Sequence, residues 1–595
     1  MKDSLRWYTL LLAATLLVGA FLYYFHLSRY LSFNGGPDEA SHYHAASFIA
    51  EHGRLAVYPD DEASLHISQE GITFFFRSPF AYATSALGWH LMEATAMRDV
   101  RRFRVSSALF GALSVALVFL AAVTLTGSTG LGLFGALSFG LVPQLTFLSA
   151  YLNDDIAAVA VVALLLSCLI ALMRQRISLT LVMLTGFAVG LVIISKPSAW
   201  VVAIPLALAA LWLVARSRTD AGRRMFVLTS VALAVGGWWL LFNMHHHGLD
   251  DPLNQGVEKE VVAKYQEFVP QAGRSYSEQK IGVIDLLADR DNFMTDTFKS
   301  TVGNLDWLRL EMGRVQYGFY ALLFVFAGVG WFYGLFTPQR DAAASRTVFM
   351  LLLAAVALQF IAYLWVNLSR FAQPQGRYLL PAMPIVMTMA VYGLYRIAGT
   401  IRRFGWGGIL QGAVLRASTL GLLLLAPVYV HLEGLVHHVL PFYGLAHYHG
   451  LDASHFDPWP TDWSDAPQTN QLSLTRQDGA VVIRGSGNDP WLLFGPEQAS
   501  ALNDGAMLRI SLESQTNGRF SVYWDEGGGF REALMASRHY NVGSQTIYLR
   551  LDTRSPVALR LDPMMRPGSV TIHQIAVASI DGEPLSVAKF LGRLL

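Results

Sequence analysis

Asp38 and Glu39 stand side by side in the run NGGPDEASHYH (34–44), with His42 one helical turn beyond Asp38. Paired carboxylates next to an imidazole can take a proton, orient a hydroxyl or hold a cation. Further reactive groups recur far along the chain: Arg77 in FFFRSPF, Asn153-Asp154-Asp155 in AYLNDDIAA, Lys196 in ISKPSAW, and Gln375-Gly376-Arg377-Tyr378 in FAQPQGRYLLP. An arginine offers a planar fork of donors that fits a phosphate, whereas a lysine offers a point charge. Each group also has an ordinary use. Asp38 after Gly-Pro suits a helix N-terminus, as do Asn153 and Asp154. Lys196 before Pro197 can snorkel, and Arg77 and Arg377, beside Pro79 and Pro381, can anchor at an interface. Capping would employ one carboxylate of the Asp38-Glu39 pair and leave the other, with His42, unexplained.

The elements that position these groups are read from composition. Of 595 residues 53% are hydrophobic and only 15% charged, with a mean hydropathy of +0.38. Soluble domains carry about 25% charged residues, so the chain reads as a polytopic membrane protein. A formal net charge of +1 argues against a nucleic-acid partner, and the single cysteine, Cys168, excludes an intrachain disulfide. Apolar runs of spanning length occur near 7–26, 105–125, 130–150, 156–173, 177–194, 199–215, 225–242, 316–336, 347–366, 378–398 and 412–432, about eleven in all. The first lacks a small-x-small cleavage site and is expected to be a retained helix.

Short basic links set the orientation. Lys2 and Arg6, Arg174 and Arg176, Arg216 to Arg224, Arg340 and Arg346, and Arg396 to Arg403 fall on alternate turns, which places the N-terminus in the cytoplasm and residues 433–595 outside. Arg98, Arg101, Arg102 and Arg104 do not fit this pattern. They are expected at headgroup level, behind outer-surface helices in 68–98. With that topology every polar motif named above falls on the outer face. Acids and bases gathered there suit a substrate with a charged part outside and a greasy part in the bilayer, such as a lipid-linked phosphate. The run His245–His247 could bind metal, but consecutive helical residues cannot all face one ion.

Residues 1–435 are therefore expected to form the transmembrane domain, with long outer loops at 27–104 and 243–315. A His-, Pro- and Trp-rich linker follows at 436–465. Alternating segments such as LRISLES, RFSVYWDE and SQTIYLRLDT predict a jelly-roll-like β-sandwich over 466–582, with a tail at 583–595. Trp491, Tyr523 and Trp524 offer faces for sugar stacking there, or core packing.

The ordered motifs resemble the GT-C superfamily of integral-membrane glycosyltransferases, in particular a bacterial branch related to the protein O-mannosyltransferases and the lipid A aminoarabinose transferases. Pro37-Asp38-Glu39 matches the acidic motif after the first helix. Arg77-Ser78-Pro79 resembles the basic element later in that loop, where Lys-Pro-Pro is more usual. Asn153-Asp154 matches the motif opening the fourth span. Lys196-Pro197, Trp238-Trp239 with Asn243 and Gly248, Gln375–Tyr378 with Pro381, and Leu559–Pro563 are similar to that bacterial branch. The resemblance implies about seven conserved helices with two surface helices in the first outer loop. It also implies a polyprenyl-phosphate sugar donor, inversion at the anomeric carbon, and a bacterial inner membrane with the C-terminal domain in the periplasm.

On that resemblance Asp38 is the candidate general base, and Arg77 and Arg377 hold the donor phosphate. Glu39, His42 and Asp154 orient the acceptor, tune Asp38 or hold a divalent ion. Lys196, Asn153, Gln375 and Tyr378 complete the substrate site. No ligand set has diagnostic metal spacing, so a divalent ion is left unassigned. The acceptor would be an envelope glycan, lipid or protein. The competing classes are an undecaprenyl-diphosphate glycan polymerase or ligase, and a lipid or glycan transporter. The first usually places its arginines and a histidine in one late outer loop. The second needs polar or broken helices at mid-membrane, whereas these spans are apolar throughout.

Overall fold

The computed structural model describes residues 2–580 apart from 32, 34, 68–70, 96, 98, 175–176, 218–219, 267–273, 307, 338–341, 404–412, 444–450, 452, 460–467, 478, 488, 503–504, 517, 532–533, 541 and 566. Arg98, Arg176 and Arg340, much of the expected linker and the expected tail lie outside the described residues. The described chain forms two compact units, one of residues 1–29 and 38–431, the other of 30–37 and 432–595.

The first unit is helical because long apolar stretches must satisfy their backbone groups internally. Among the described residues nine helices are long and apolar enough to cross a membrane. Two of the eleven expected spans are shorter. The stretch 130–150 breaks into Thr129–Gly140 (12 residues) and Pro143–Leu148 (6 residues). Pro143 has no N–H to continue a helix but suits the first turn of a new one. The stretch 177–194 forms Leu179–Ile193 (15 residues), started by the Ser178 cap and stopped ahead of Pro197.

The expectation of surface helices throughout 68–98 is corrected. One helix, Phe80–Leu91, forms there, while residues 71–79 run as turns. The arginines are not all headgroup anchors either. The second spanning helix begins at Asp99, and Arg104, only 1% exposed, points into the protein.

One large core packs Asp155–Arg174 and Pro197–Ala215 against Ala342–Ser369 and Met383–Arg403, through Leu165, Leu169, Leu206, Phe349 and Tyr392. Arg314–Phe336 meets Met383–Arg403 without side chains between. A Cβ on Gly330 would overlap the Met389 carbonyl, and one on Gly393 would overlap that of Phe326. Small residues at such crossings let backbones touch, which is how helices in lipid gain van der Waals contact.

Helical backbone continues from Ala413–Gly434, whose last residues open the second unit, through a wide turn to Phe442, so the stretch expected as a linker begins as helix. Two antiparallel sheets follow. One orders its strands as 535–540, 518–525, 558–562, 491–494 and 468–470. The other orders them 543–551, 506–514, 568–579, 480–485 and 472–477, with 457–458 pairing on 568–579. Alternate residues of both sheets interlock as Leu508, Ile510 and Leu512 against Phe520, Val522, Leu559 and Leu561. A shared core between two sheets is that of a sandwich.

Candidate functional site

The helix Glu39–His52 starts from Asp38, whose backbone is left-handed (φ 63°) and whose side chain makes no cap hydrogen bond. A non-glycine residue held there costs about 1–3 kcal/mol, and the freed carboxylate serves another partner. Arg377 donates from Nη2 to Asp38 Oδ2 at 3.0 Å. Residues 38 and 377 thus meet across most of the chain, which no sequence spacing announces.

Arg377 is placed by its neighbours. Gly376 donates its N–H to Ser300 Oγ at 2.7 Å, and any Cβ there would overlap the backbone of Thr297 and Thr301. Only glycine allows the turn Gly376–Ala382 to press against the helix Phe293–Gly303. Arg377 is 7% exposed, lies 5.1 Å from the Tyr378 ring and donates to the Tyr378 hydroxyl at 3.3 Å. Its Nε is buried and has no partner. Gln375 is half-buried at the head of the same turn.

Asp154 and Asp155 meet the Lys196 ammonium at 2.7 and 2.8 Å. Asp154 also lies 3.9 Å from His42 Nε2, while His42 Nδ1 contacts the Tyr82 hydroxyl at 3.1 Å. The His42 ring sits edge-on to Phe74, with centroids 4.7 Å apart, and the Arg77 guanidinium covers the same Phe74 ring at 3.4 Å. Among the described residues Arg77 makes no ion pair. Three anions (Asp38, Asp154, Asp155) and three cations (Arg77, Lys196, Arg377) therefore converge from the ends of separate helices.

Burial alone would raise the Asp38 and Asp154 carboxyls. The charges of Arg377 and Arg77 outweigh it at Asp38, and those of Lys196 and Arg77 at Asp154, with His42 adding to both only where it is itself protonated, so both are held below the usual carboxylate range. Burial pushes His42 down to about 4, against the pull of Asp154; the imidazole is neutral at pH 7. Lys196, despite burial, is raised by Asp154 and Asp155. The cluster is thus charge-balanced and ionised around one neutral histidine.

The remaining expected residues are held by contacts within the fold. Glu39 is fully buried and accepts from Arg104 Nε and Nη2, both at 2.7 Å, and from the Leu152 amide at 3.0 Å. These three donors engage both carboxylate oxygens, so Glu39 ties the start of its helix to the Arg104 helix and to the turn at Leu152. Arg104 Nη1 reaches the Ser28 carbonyl at 2.9 Å. Asn153 donates to the carbonyls of Leu148 (2.7 Å) and Tyr151 (2.8 Å) and accepts from the Ile156 amide (3.0 Å); it holds the turn ahead of the helix. His247 is tied on both nitrogens, to Asn254 at 2.8 Å and to the Tyr58 amide at 3.3 Å. Among the described residues no group of three or more His, Cys, Asp or Glu gathers as a metal site.

Sequence reasoning missed three residues. Arg104 was visible as charge but not as the partner of Glu39. Tyr82 carried no signal beyond its type. Glu258, in the helix Gln255–Tyr265, is raised above the usual carboxylate range by burial and feels the Arg77 charge. The long outer loop 243–315 holds several acids, and their spacing does not say which one turns inward.

A family model described as "Predicted membrane protein (DUF2142)" matches residues 36–386. No curated protein matches the chain. Among solved structures the chain is similar to ArnT from Cupriavidus metallidurans in the apo state, at 15% identity and a TM-score of 0.41, over 64% of this chain and 59% of that one. It thus spans less than two thirds of that structure's length. The likeness to the same protein bound to undecaprenyl phosphate has 14% identity and a TM-score of 0.45, over 71% of this chain and 75% of that one. An oligosaccharyltransferase from Archaeoglobus fulgidus, apo, is similar at 12% identity and a TM-score of 0.37, over 70% of this chain and 55% of that one.

Two outcomes are expected. Glu39→Gln leaves Arg104 as an uncompensated buried charge and lowers stability by about 3–5 kcal/mol, read by thermal unfolding in detergent; a loss within 0.5 kcal/mol, about the scale of a surface change, refutes the tie. His42 has a depressed pKa in the folded state, so its contribution is complete above 6.5 and is lost as pH falls toward about 4, because the unfolded chain binds the proton first. The melting temperature should fall across that window, and fall less in His42→Gln.

Proposed function

The chain belongs to the DUF2142 family of predicted membrane proteins, and we propose that it is a GT-C type glycosyltransferase that moves a sugar from a polyprenyl-phosphate donor to an envelope acceptor. The observation that carries this reading is the meeting of Asp38 with Arg377, where a partnerless buried guanidinium N–H lies next to an ionised carboxylate. A buried donor left unmade costs about 1–3 kcal/mol, and a phosphate oxygen would satisfy it. Arg77, held flat by Phe74 and without an ion pair among the described residues, offers a second fork to the same anion. A transporter would have no need for a proton acceptor in that position.

The chemistry follows from the groups. The acceptor hydroxyl attacks the anomeric carbon from the face opposite the phosphate, and its proton passes to Asp38. The bond between the anomeric carbon and the phosphate oxygen breaks, inverting that carbon, and the lipid phosphate departs with its electron pair. Arg77 and Arg377 stabilise the charge that grows on it. Asp38 is a weak base while Arg377 holds it. A donor phosphate that draws Arg377 away would strengthen Asp38 at the moment of need, coupling donor binding to base strength. The site's charges sum to zero without substrate, so a mono-anionic donor adds one negative charge that unpaired Arg77 is placed to meet. His42, Asp154 and Lys196 hold the acceptor side, with Tyr378 and Gln375 lining the Arg377 turn. Which sugar moves is left open by these contacts.

The orientation proposed is a cytoplasmic N-terminus and a periplasmic C-terminal unit in a bacterial inner membrane, supported by the arginine-rich links.

Asp38→Asn should lower transfer from a polyprenyl-phosphate sugar by about 10²–10⁴-fold in protein that still folds and inserts; wild-type turnover would remove Asp38 from the base role. Arg77→Ala should raise the KM for the donor by about 10–100-fold, the scale of a charge-assisted hydrogen bond, and leave the acceptor KM alone. An alkaline phosphatase fusion after Leu595 should be active; a silent fusion paired with an active cytoplasmic reporter overturns the orientation.

A further inference from the structure

The second unit carries a built cleft that the transfer reading does not use. The strands of the five-stranded sheet alternate, so Phe520, Val522, Trp524, Leu559 and Leu561 fill the core. Arg519, Ser521, Tyr523, Arg560 and Asp562 stand on the opposite face and line a cleft of about 400 Å³. The three aromatics noted in the sequence are therefore divided: Trp524 is core, while Trp491 and Tyr523 frame the outer face.

That face is pre-organised. The Arg560 guanidinium lies 5.4 Å from the ring centroids of both Trp491 and Tyr523. It is fixed by Asp562 at 2.7 and 2.9 Å and by Asp489 at 2.6 Å. One wall is the loop 527–531. Asp525 Oδ1 accepts from the amides of Gly527, Gly528 and Gly529 at 2.7, 2.9 and 2.8 Å, and the positive φ of Gly527 (95°) and Gly529 (83°) suits glycine alone. This fold of the loop sets Phe530 and Arg531 at the cleft, and Arg531 donates to the Gly528 carbonyl at 3.1 Å.

We propose that this cleft binds a glycan chain. A pyranose ring presents an apolar C–H face and a rim of hydroxyls. The first suits the ring faces of Tyr523 and Phe530, and the second suits planar carboxylates and guanidiniums held rigid before binding. A purely apolar ligand would take five charged side chains (Asp489, Asp562, Arg519, Arg531 and Arg560) out of water and give their open hydrogen-bonding positions nothing in return. A dianionic phosphate would face two carboxylates with a surplus of only one positive charge. Sugar hydroxyls donate to the acids and accept from the arginines, so every group is satisfied. The inference stands apart from the transfer reading, since it concerns binding by the β-sandwich and not turnover.

The test is calorimetric titration of the full-length protein in nanodiscs with three probes, cellohexaose, mannohexaose and hexagalacturonate, and with inorganic phosphate as the anion control. At least one hexasaccharide should bind, and Tyr523→Ala and Arg531→Ala should each weaken it by about tenfold or more with the melting temperature unchanged. Arg531 lies on the loop outside the sheet, so its variant keeps the test sound if the strand change disturbs folding. Asp38→Asn should bind as wild type. Binding of no hexasaccharide, displacement by inorganic phosphate, or binding lost in Asp38→Asn but kept in both β-domain variants overturns the proposal. Wild-type transfer in Asp38→Asn with hexasaccharide binding intact would sink the catalytic reading alone.

Discussion

One buried ion pair holds the helical unit's reactive end together. Glu39 and Arg104 bond through two N–H groups, and each also reaches backbone: Glu39 the amide of Leu152, Arg104 the carbonyl of Ser28. Four segments are thereby tied: the end of the first span, the start of the Glu39 helix, the start of the second span and the turn before Asp154. Two charges withdrawn from water gain stability only when their remaining donors and acceptors are also satisfied, and here they largely are. What the pair secures is position. Asp38 precedes Glu39 directly and Asp154 follows Leu152 by two residues, so the tie fixes the starting points of both reactive acids.

Around that tie the site is arranged as opposed charges rather than as a single field. Lys196 is committed to Asp154 and Asp155, and Arg377 to Asp38, while Arg77 rests on an aromatic face. A neutral, buried imidazole lies between the two acid groups. Such balance keeps six ionised groups tolerable in a poorly solvated setting. It also means that an arriving anion acts by rearranging existing pairs, which links recognition of a charged headgroup to the protonation behaviour of Asp38.

The second unit solves a different problem with the same means. Its strands bury one set of alternate residues and present the other, so a single register decides which aromatics are core and which are available. Arg560 is held between two rings and two carboxylates, and a glycine turn gripped by Asp525 supplies a wall. Rigid polar groups of this kind lose little entropy on binding.

The division into an apolar helical unit and an alternating β unit is legible along the chain, because periodicity and hydropathy act locally and need no partner. The sequence also picked out Asp38, Arg77, Asp154, Lys196 and Arg377, since isolated charge beside long apolar runs is conspicuous wherever it folds. It did not tell Glu39 from Asp38, or a core Trp524 from an outward Tyr523 beside it. Nor did it reveal that Arg104 is buried, that Asn153 and His247 serve the backbone, or that Pro143 splits a span. Most of these turn on which groups meet after folding, Glu39 with Arg104 across 65 residues and His247 with Tyr58 across 189. A carboxylate's role is set by the donors left to it after folding, and that remainder is not written in any local stretch of chain.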